Sequence, residues 1–401
     1  MLEGNKGLLI VSFLRGLGAL SSIGLVYVVY YFYTPAISAE FFLFISFCAF
    51  ISVLLRFGLD DYILKTFSGT KQSNPHTLIL KATLLGLIIT LIIVPLLHNY
   101  YQFNIPWYYF LVLPLMIVNS LYSSFFQAKK NFYISLIGSS FIVPLATINI
   151  ILIFYPKNLD GLVLIFCLAV LLQTVFLVCA YLNKKIYKLN NHDSVVFGKT
   201  QLVLWLNSVI GISGIHLIVL VSGLLMHSNE FSNFVVLLRT CQGSLMALVV
   251  INFTFIPYYR ACVLDGRIKE GRALYSQTCF FGFVCSLTIT GLFWAIFQNP
   301  FSLIPPRILE IKQNFFLLWP GFAISLCFGS IGYVYILSSK ERISTFVGLV
   351  ILLLQLSLIF GLNYYSYEVF LLLISCSYLL AKSVLYLIYR KYDHFRVFNH
   401  V

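Results

Sequence analysis

Twelve runs of predominantly apolar residues follow one another along this 401-residue chain. Each is about the 20 residues that an α-helix needs to cross the hydrocarbon core of a bilayer. They fall at 8–33, 41–64, 76–97, 107–127, 132–154, 161–182, 201–226, 231–257, 273–297, 315–338, 343–362 and 369–389. A chain that is 60% hydrophobic and 10% charged lacks the polar surface to cover itself in water, where domains are about 25% charged. The runs do not alternate in polarity, which excludes a transmembrane barrel. The first run carries Arg15, is too long for a cleaved signal and has no small-residue cleavage site, so it is expected to remain in the protein. The expected fold class is an all-α integral membrane protein of about twelve transmembrane helices.

The net charge of +13 is a topology signal. With the N-terminus inside, the inner loops hold 18 of the 26 lysines and arginines and the outer loops hold Lys157, Arg307 and Lys312. That bias over short loops places both termini in the cytoplasm by the positive-inside rule, and it assigns the basic residues to the membrane surface with no nucleic-acid partner. Tyr30, Tyr31, Tyr33, Tyr100, Tyr101, Trp107, Tyr108, Tyr109, Tyr364, Tyr365 and Tyr367 crowd the outer ends, where an interfacial aromatic belt is expected. The nine cysteines lie in spans or, for Cys262, on an inner loop, so no disulfide framework is expected.

The longest inner loop, 183–200, divides the chain into an N-terminal lobe (1–182) and a C-terminal lobe (201–401) of six helices each, the latter ending in a short cytoplasmic tail. Six is even, so the halves start on the same face, and an internal repeat must be parallel. Ser38-Ala39-Glu40-Phe41-Phe42-Leu43-Phe44 and Ser228-Asn229-Glu230-Phe231-Ser232-Asn233-Phe234 agree at four of seven positions at an offset of 190, and Gly24 and Gly214 align at the same offset.

Five cations fall inside spans: Arg15, Arg56, Lys81, Arg239 and Lys382. Each costs roughly 2.5–3.5 kcal/mol at mid-bilayer, and no acidic residue lies deep in any span to balance them. A negatively charged ligand in a wet cavity is the expected counterion. Lys81 and Lys382 lie within about 9–10 Å of the inner ends of their helices at 1.5 Å per residue, within snorkelling reach of the headgroups. Arg56 has Asp60 four residues on, the spacing of a helical ion pair. Arg15 shares a face with Gly18, Ala19 and Ser22, and Arg239 with Gln242 and Gly243. An arginine grips two phosphate oxygens where a lysine offers a point charge. Asn119, Ser123 and Gln127 on the fourth span, Asn207 and His216 on the seventh and Gln242 on the eighth are polar candidates for the same cavity, or for hydrogen bonds between helices. No P-loop, GxSxG elbow, HExxH or CxxC pair is present. A transporter is expected, with no enzyme chemistry, catalytic residue, metal or cofactor.

Phe13-Leu14-Arg15-Gly16, Leu54-Leu55-Arg56-Phe57-Gly58-Leu59-Asp60, Gln127-Ala128-Lys129-Lys130-Asn131-Phe132 and Phe255-Ile256-Pro257-Tyr258, set in this layout, resemble the multidrug/oligosaccharidyl-lipid/polysaccharide (MOP) exporter superfamily. Within it they resemble the O-antigen (Wzx-type) flippases of bacterial polysaccharide assembly. The resemblance implies a MATE-like fold of two six-helix lobes around a V-shaped cavity in the inner membrane. It also implies a cargo of undecaprenyl-diphosphate-linked oligosaccharide, carried by alternating access. Relatives that flip the peptidoglycan precursor carry functional arginines in the first, second and eighth helices, which correspond by position to Arg15, Arg56 and Arg239. The partners implied are the lipid-linked oligosaccharide, the bilayer, a polysaccharide polymerase and a chain-length regulator, with the chain itself a monomer. A multidrug antiporter of the same superfamily is the alternative, and a membrane-bound polymerase or ligase is disfavoured by the short outer loops.

Overall fold

A computed structural model describes residues 2–60, 62–63, 76–101, 105–129, 131–183, 199–245, 248, 255, 258–259, 262, 265–298, 311–337, 340–364 and 366–392. These residues are helical with short connections and include no strand. Helices stand at all twelve expected positions: α1 (Leu2–Phe32), α2 (Pro35–Arg56), α3 (His76–Tyr101), α4 (Trp107–Ala128), α5 (Phe132–Leu136, a π-turn over Ile137–Phe141, then Ile142–Phe154), α6 (Leu159–Asn183), α7 (Lys199–Ile212, a π-turn over Ser213–Leu217, then Ile218–Leu225), α8 (Ser228–Ser244), α9 (Ile268–Gln298), α10 (Lys312–Cys327 and Ile331–Leu337), α11 (Glu341–Phe360) and α12 (Tyr367–Tyr392). Eight are long and apolar enough to cross a membrane, and a ninth is the α5 pair, bent by 42°. The chain is a multi-pass membrane protein.

Packing groups the chain into two compact units, Phe13–Gly223 with His227–Ser232, and Asn233–Val401 with Met1–Ser12 and Leu224–Met226. The expected linker lies almost entirely outside the described residues. The matched phenylalanines of the candidate repeat, Phe41, Phe44, Phe231 and Phe234, are all buried, although Phe231 packs with the same unit as Phe41 and Phe44.

In the N-terminal unit α4 is the central post, packed against α2, α3, α5 and α6. Leu113, Ile117, Leu121 and Phe125 form its buried stripe, four apart and so on one face of a helix. On α6 the polarity is reversed relative to a soluble protein: Leu164, Leu168, Leu171, Leu172 and Val175 point outward, while Gln173 and Thr174 are buried. Lipid is the solvent for such a surface.

Local chemistry sets the ends of α2. Thr34 caps its start, accepting from the Ile37 amide at 3.5 Å, and Pro35 occupies the first turn, where a missing N–H costs nothing. Phe57 (φ 48°) and Gly58 (φ 69°) end it in the left-handed region. The Trp205 indole of α7 donates to the Leu54 carbonyl at 3.2 Å, satisfying one of the groups the helix end leaves open. A side chain at Gly58 would press on the Trp205 backbone. The segment Leu54–Asp60 is therefore a helix terminus with a tightly packed turn.

In the C-terminal unit α10 is the post, lying between α9 and α12. Pro320 breaks the backbone ladder within it. The Gly321 amide turns outward and donates to Ser375 Oγ on α12 at 2.8 Å. Ser325 Oγ donates to the carbonyls of Gly321 (2.6 Å) and Tyr378 (3.2 Å). Aromatic rings fill one end of the unit, with Trp319 stacked on Phe315 at 5.6 Å and its indole donating to Thr290 Oγ1 at 2.8 Å. At the other end the Tyr275 hydroxyl donates to the Phe328 carbonyl (3.1 Å), where α10 is interrupted, and the Tyr335 hydroxyl to the Leu385 carbonyl (2.7 Å).

The aromatic belt divides. Tyr31, Trp107, Tyr108 and Tyr364 are exposed, whereas Tyr30 and Tyr33 are buried. Neighbours on a helix are about 100° apart, so a cluster of adjacent tyrosines cannot all face the interface.

Candidate substrate-binding residues

The two units carry different kinds of polar residue. In the N-terminal unit most are committed to the protein. Arg56 pairs with Asp60 at 3.0 Å, its Nε donates to the Ser52 carbonyl at 3.2 Å, and its terminal nitrogen donates to Ser120 Oγ on α4. The two charged side chains are 13% and 19% exposed, enough enclosure for the pair to matter structurally. Breaking it by Arg56→Gln should destabilise the unit by about 1–3 kcal/mol, the cost of leaving a largely buried charge without its partner. Asp60→Asn should do the same, and the double variant should lose less than the sum, as read by thermal unfolding of the detergent-solubilised protein. A ligand-contacting Arg56 would behave differently: Arg56→Gln alone would lose transport, and Asp60→Asn would not.

Asn119 donates to the Val170 carbonyl (3.3 Å) and to Gln173 Oε1 (3.1 Å) on α6. Gln173 in turn donates to the Gly138 carbonyl, at the π-turn of α5 where the regular ladder is displaced. Ser123 donates to the Ser135 carbonyl at 2.8 Å. Asn119 and Ser123 thus join α4 to α5 and α6. Gln127 is half-buried at the turn into α5, beside Lys129, whose ammonium burial pushes down from its ordinary value. Arg15 is half-buried on α1 and engaged in polar contact, as is His216 in the π-turn of α7. The Asn207 side chain and residues 256–257 of the Phe255–Tyr258 motif lie outside the described residues. Lys81 is exposed among Leu80, Leu84, Leu85 and Ile88 near the start of α3, a place from which a lysine reaches the headgroups.

In the C-terminal unit the polar residues converge. Arg239 and Gln242, three apart on one face of α8, approach Tyr378 on α12, whose hydroxyl also faces Gln355 of α11. Gln355 Nε2 donates to Ser377 Oγ at 2.9 Å. Lys382 follows Tyr378 by one helical turn and is half-buried, whereas Lys81 is exposed. The two lysines with the same snorkelling geometry in sequence therefore have different environments. Both amide atoms of Gln242 are buried and neither meets strict hydrogen-bond geometry with a described residue, although the Tyr378 hydroxyl lies close enough to interact with the amide.

Acidic partners for such a cluster are scarce. The ion pairs of the described residues include Arg56–Asp60 and those joining Arg267 to Asp265 (2.7 Å) and Glu270 (2.8 Å). The latter group sits on the exposed turn before α9, where the Asp265 hydrogen bond and then the Glu270 charge hold the guanidinium above its ordinary value. Lys382 has no ion pair among the described residues, and those residues include no cluster of His, Cys, Asp and Glu suited to a metal ion.

The reading from sequence singled out Arg239, Gln242 and Lys382 and missed Gln355, Ser377 and Tyr378. The available signal was a buried glutamine in a leucine-rich span and the four-residue spacing of Tyr378 and Lys382.

No protein-family model matches the chain, and no curated protein matches it in sequence. Its fold is similar to solved structures. One is an inward-facing multidrug resistance MATE family transporter of the MOP superfamily, with TM-score 0.74 and 10% identity over 97% of this chain and 99% of that one. An outward-facing transporter of the same description matches with TM-score 0.65 and 14% identity, over 98% and 97%. A MOP superfamily transporter from Pyrococcus furiosus, whose binding pocket is described as having reverse polarity that suggests a different function, matches with TM-score 0.66 and 12% identity, over 96% and 95%.

Proposed function

From a chain with the MOP transporter fold and cations in its spans, we propose a flippase that carries an undecaprenyl-diphosphate-linked oligosaccharide from the cytoplasmic to the outer leaflet of a bacterial inner membrane by alternating access. The observation that carries this reading is the pairing of Arg239 with Tyr378 inside the C-terminal unit, with Lys382 one turn along α12 and without a carboxylate counterion among the described residues. A charge at that depth is costly and calls for a partner, and a diphosphate supplies it through charge-assisted hydrogen bonds. Arg239 is the principal contact, and Lys382 and, on the first span, Arg15 are the other cations proposed to serve the cargo. The polyprenyl tail stays in lipid, no covalent chemistry occurs, and both termini lie in the cytoplasm. A polymerase and a chain-length regulator would consume the product outside.

The structural neighbours described as multidrug transporters favour a second reading, an antiporter for organic cations. The two separate in proteoliposomes. A fluorescent polyprenyl-diphosphate disaccharide should move between leaflets only when the protein is present. Moving negative charge outward draws on an inside-negative potential at about 2.3 kcal/mol per charge per 100 mV. Collapsing the potential with valinomycin and balanced K⁺ should therefore slow flipping, and collapsing the pH gradient with nigericin should not. Uptake of ethidium against its gradient, without movement of the lipid probe, would establish the antiporter instead.

A further inference from the structure

The Gln242 amide stands out among the polar groups of the C-terminal unit. Its Nε2 and Oε1 are both buried, and neither makes a hydrogen bond with the described residues. An unsatisfied buried polar atom costs about 1–3 kcal/mol, and native proteins keep few of them. The glutamine nearest to it in kind, Gln173 in the N-terminal unit, spends both ends of its amide on helix–helix bonds, and Asn119 spends its Nδ2 in the same way. Gln242 does not, although Tyr378 lies within polar reach and Gln355 and Ser377 stand on the neighbouring helices.

We infer that Gln242 is a recognition residue for the sugar of the transported molecule, taking two adjacent ring hydroxyls along one edge of its amide. The chemistry of the amide selects this group. One edge presents an N–H donor beside a carbonyl acceptor, so its complement must accept and donate side by side. A phosphate or diphosphate at neutral pH only accepts and leaves Oε1 unsatisfied, and an organic ammonium only donates and leaves Nε2 unsatisfied. A vicinal diol does both: one hydroxyl accepts from Nε2 and the other donates to Oε1. The Tyr378 hydroxyl, donor and acceptor at once, and the Gln355 amide stand beside it to continue the pattern. Arg239 lies one turn before Gln242 on α8 and holds the charged part of the molecule there, and Lys382 lies one turn beyond Tyr378 on α12, so the two cations flank the amide. The inference rests on the flippase reading and adds to it a subsite that reads the glycan.

Binding to purified protein in nanodiscs, measured by microscale thermophoresis, tests this with three probes: a polyprenyl diphosphate without sugar, the same lipid carrying glucose, and the same lipid carrying 2,3,4-trideoxyglucose. The wild type should bind the glucosyl lipid about tenfold more tightly than either of the others. Gln242→Leu should bind all three alike, with an affinity for the sugarless lipid equal to that of the wild type, which also shows the variant to be folded. Gln242→Asn should keep part of the preference. Equal affinity of the wild type for the glucosyl and trideoxyglucosyl lipids overturns the inference and leaves the flippase reading standing, as does a preference that survives Gln242→Leu. If the wild type binds none of the three lipids, the flippase reading itself falls and the inference with it.

Discussion

Replacing Arg239 with alanine should abolish flipping of a polyprenyl-diphosphate disaccharide in proteoliposomes, by more than about 100-fold, while purification yield and thermal unfolding stay close to wild type. The expectation follows from its place on α8 beside Tyr378 and Gln242 in the C-terminal unit. A guanidinium offers a planar fork that takes two phosphate oxygens at once, and alanine offers neither charge nor donor. Arg239→Lys should keep a measurable fraction of the rate, because the charge survives and the bidentate geometry does not. Lys382→Gln should lower the rate less than Arg239→Ala but more than Lys81→Gln, since Lys382 is half-buried within the unit and Lys81 is exposed. Wild-type flipping by Arg239→Ala would remove the principal contact from the proposed site.

The largest loss of stability should come from Gly321→Leu. A Cβ at Gly321 would run into the Ser375 carbonyl of α12, and Gly282 of α9 meets the Leu326 carbonyl of α10 in the same manner. Backbones this close are held by dispersion contacts and interhelical hydrogen bonds, the forces available to helices in lipid. A leucine must push α10 from α12, breaking the bonds from Gly321 to Ser375 and from Ser325 to Tyr378. Overpacking of a close interface costs about 1–3 kcal/mol, and each lost hydrogen bond adds about 1 kcal/mol. The variant should unfold in detergent at least about 10 °C below the wild type. Ser375→Ala, which removes only the acceptor for the Gly321 amide, should cost far less. A Gly321→Leu protein as stable as wild type would mean that the seam does not hold the unit together.

The helices were legible residue by residue because bilayer thickness translates directly into run length. The apolar run after Thr34-Pro35 becomes α2, and the run after Leu159 becomes α6. Interruptions within helices were less legible. The π-turns at Ile137–Phe141 and Ser213–Leu217 carry no proline, and the break in α10 falls at Phe328–Ser330, eight residues beyond Pro320. Such irregularities are stabilised from outside the helix, by Gln173 on the Gly138 carbonyl and by Tyr275 on the Phe328 carbonyl, and a local pattern holds no record of a partner many residues away.

The same distinction runs through the candidate site. Sequence alone determined that five cations lie in apolar runs without deep carboxylates, because charge and hydrophobicity are properties of a residue and its chain neighbours. It also offered the four-residue spacing of Arg56 and Asp60, which the structure closes as an ion pair across the end of α2. Only the tertiary structure decided which of these side chains are occupied by protein. Arg56 is tied to Ser120 and Asn119 to Gln173, whereas Gln242, Tyr378 and Gln355 come from α8, α12 and α11 to form one cluster, with Lys382 one turn beyond Tyr378. Gln242 is more than 100 residues from the other three in the chain, and no helical period spans that separation. A polar residue inside a membrane helix is bound to find a partner, but whether that partner is a neighbouring helix or a ligand depends on which helices stand beside it.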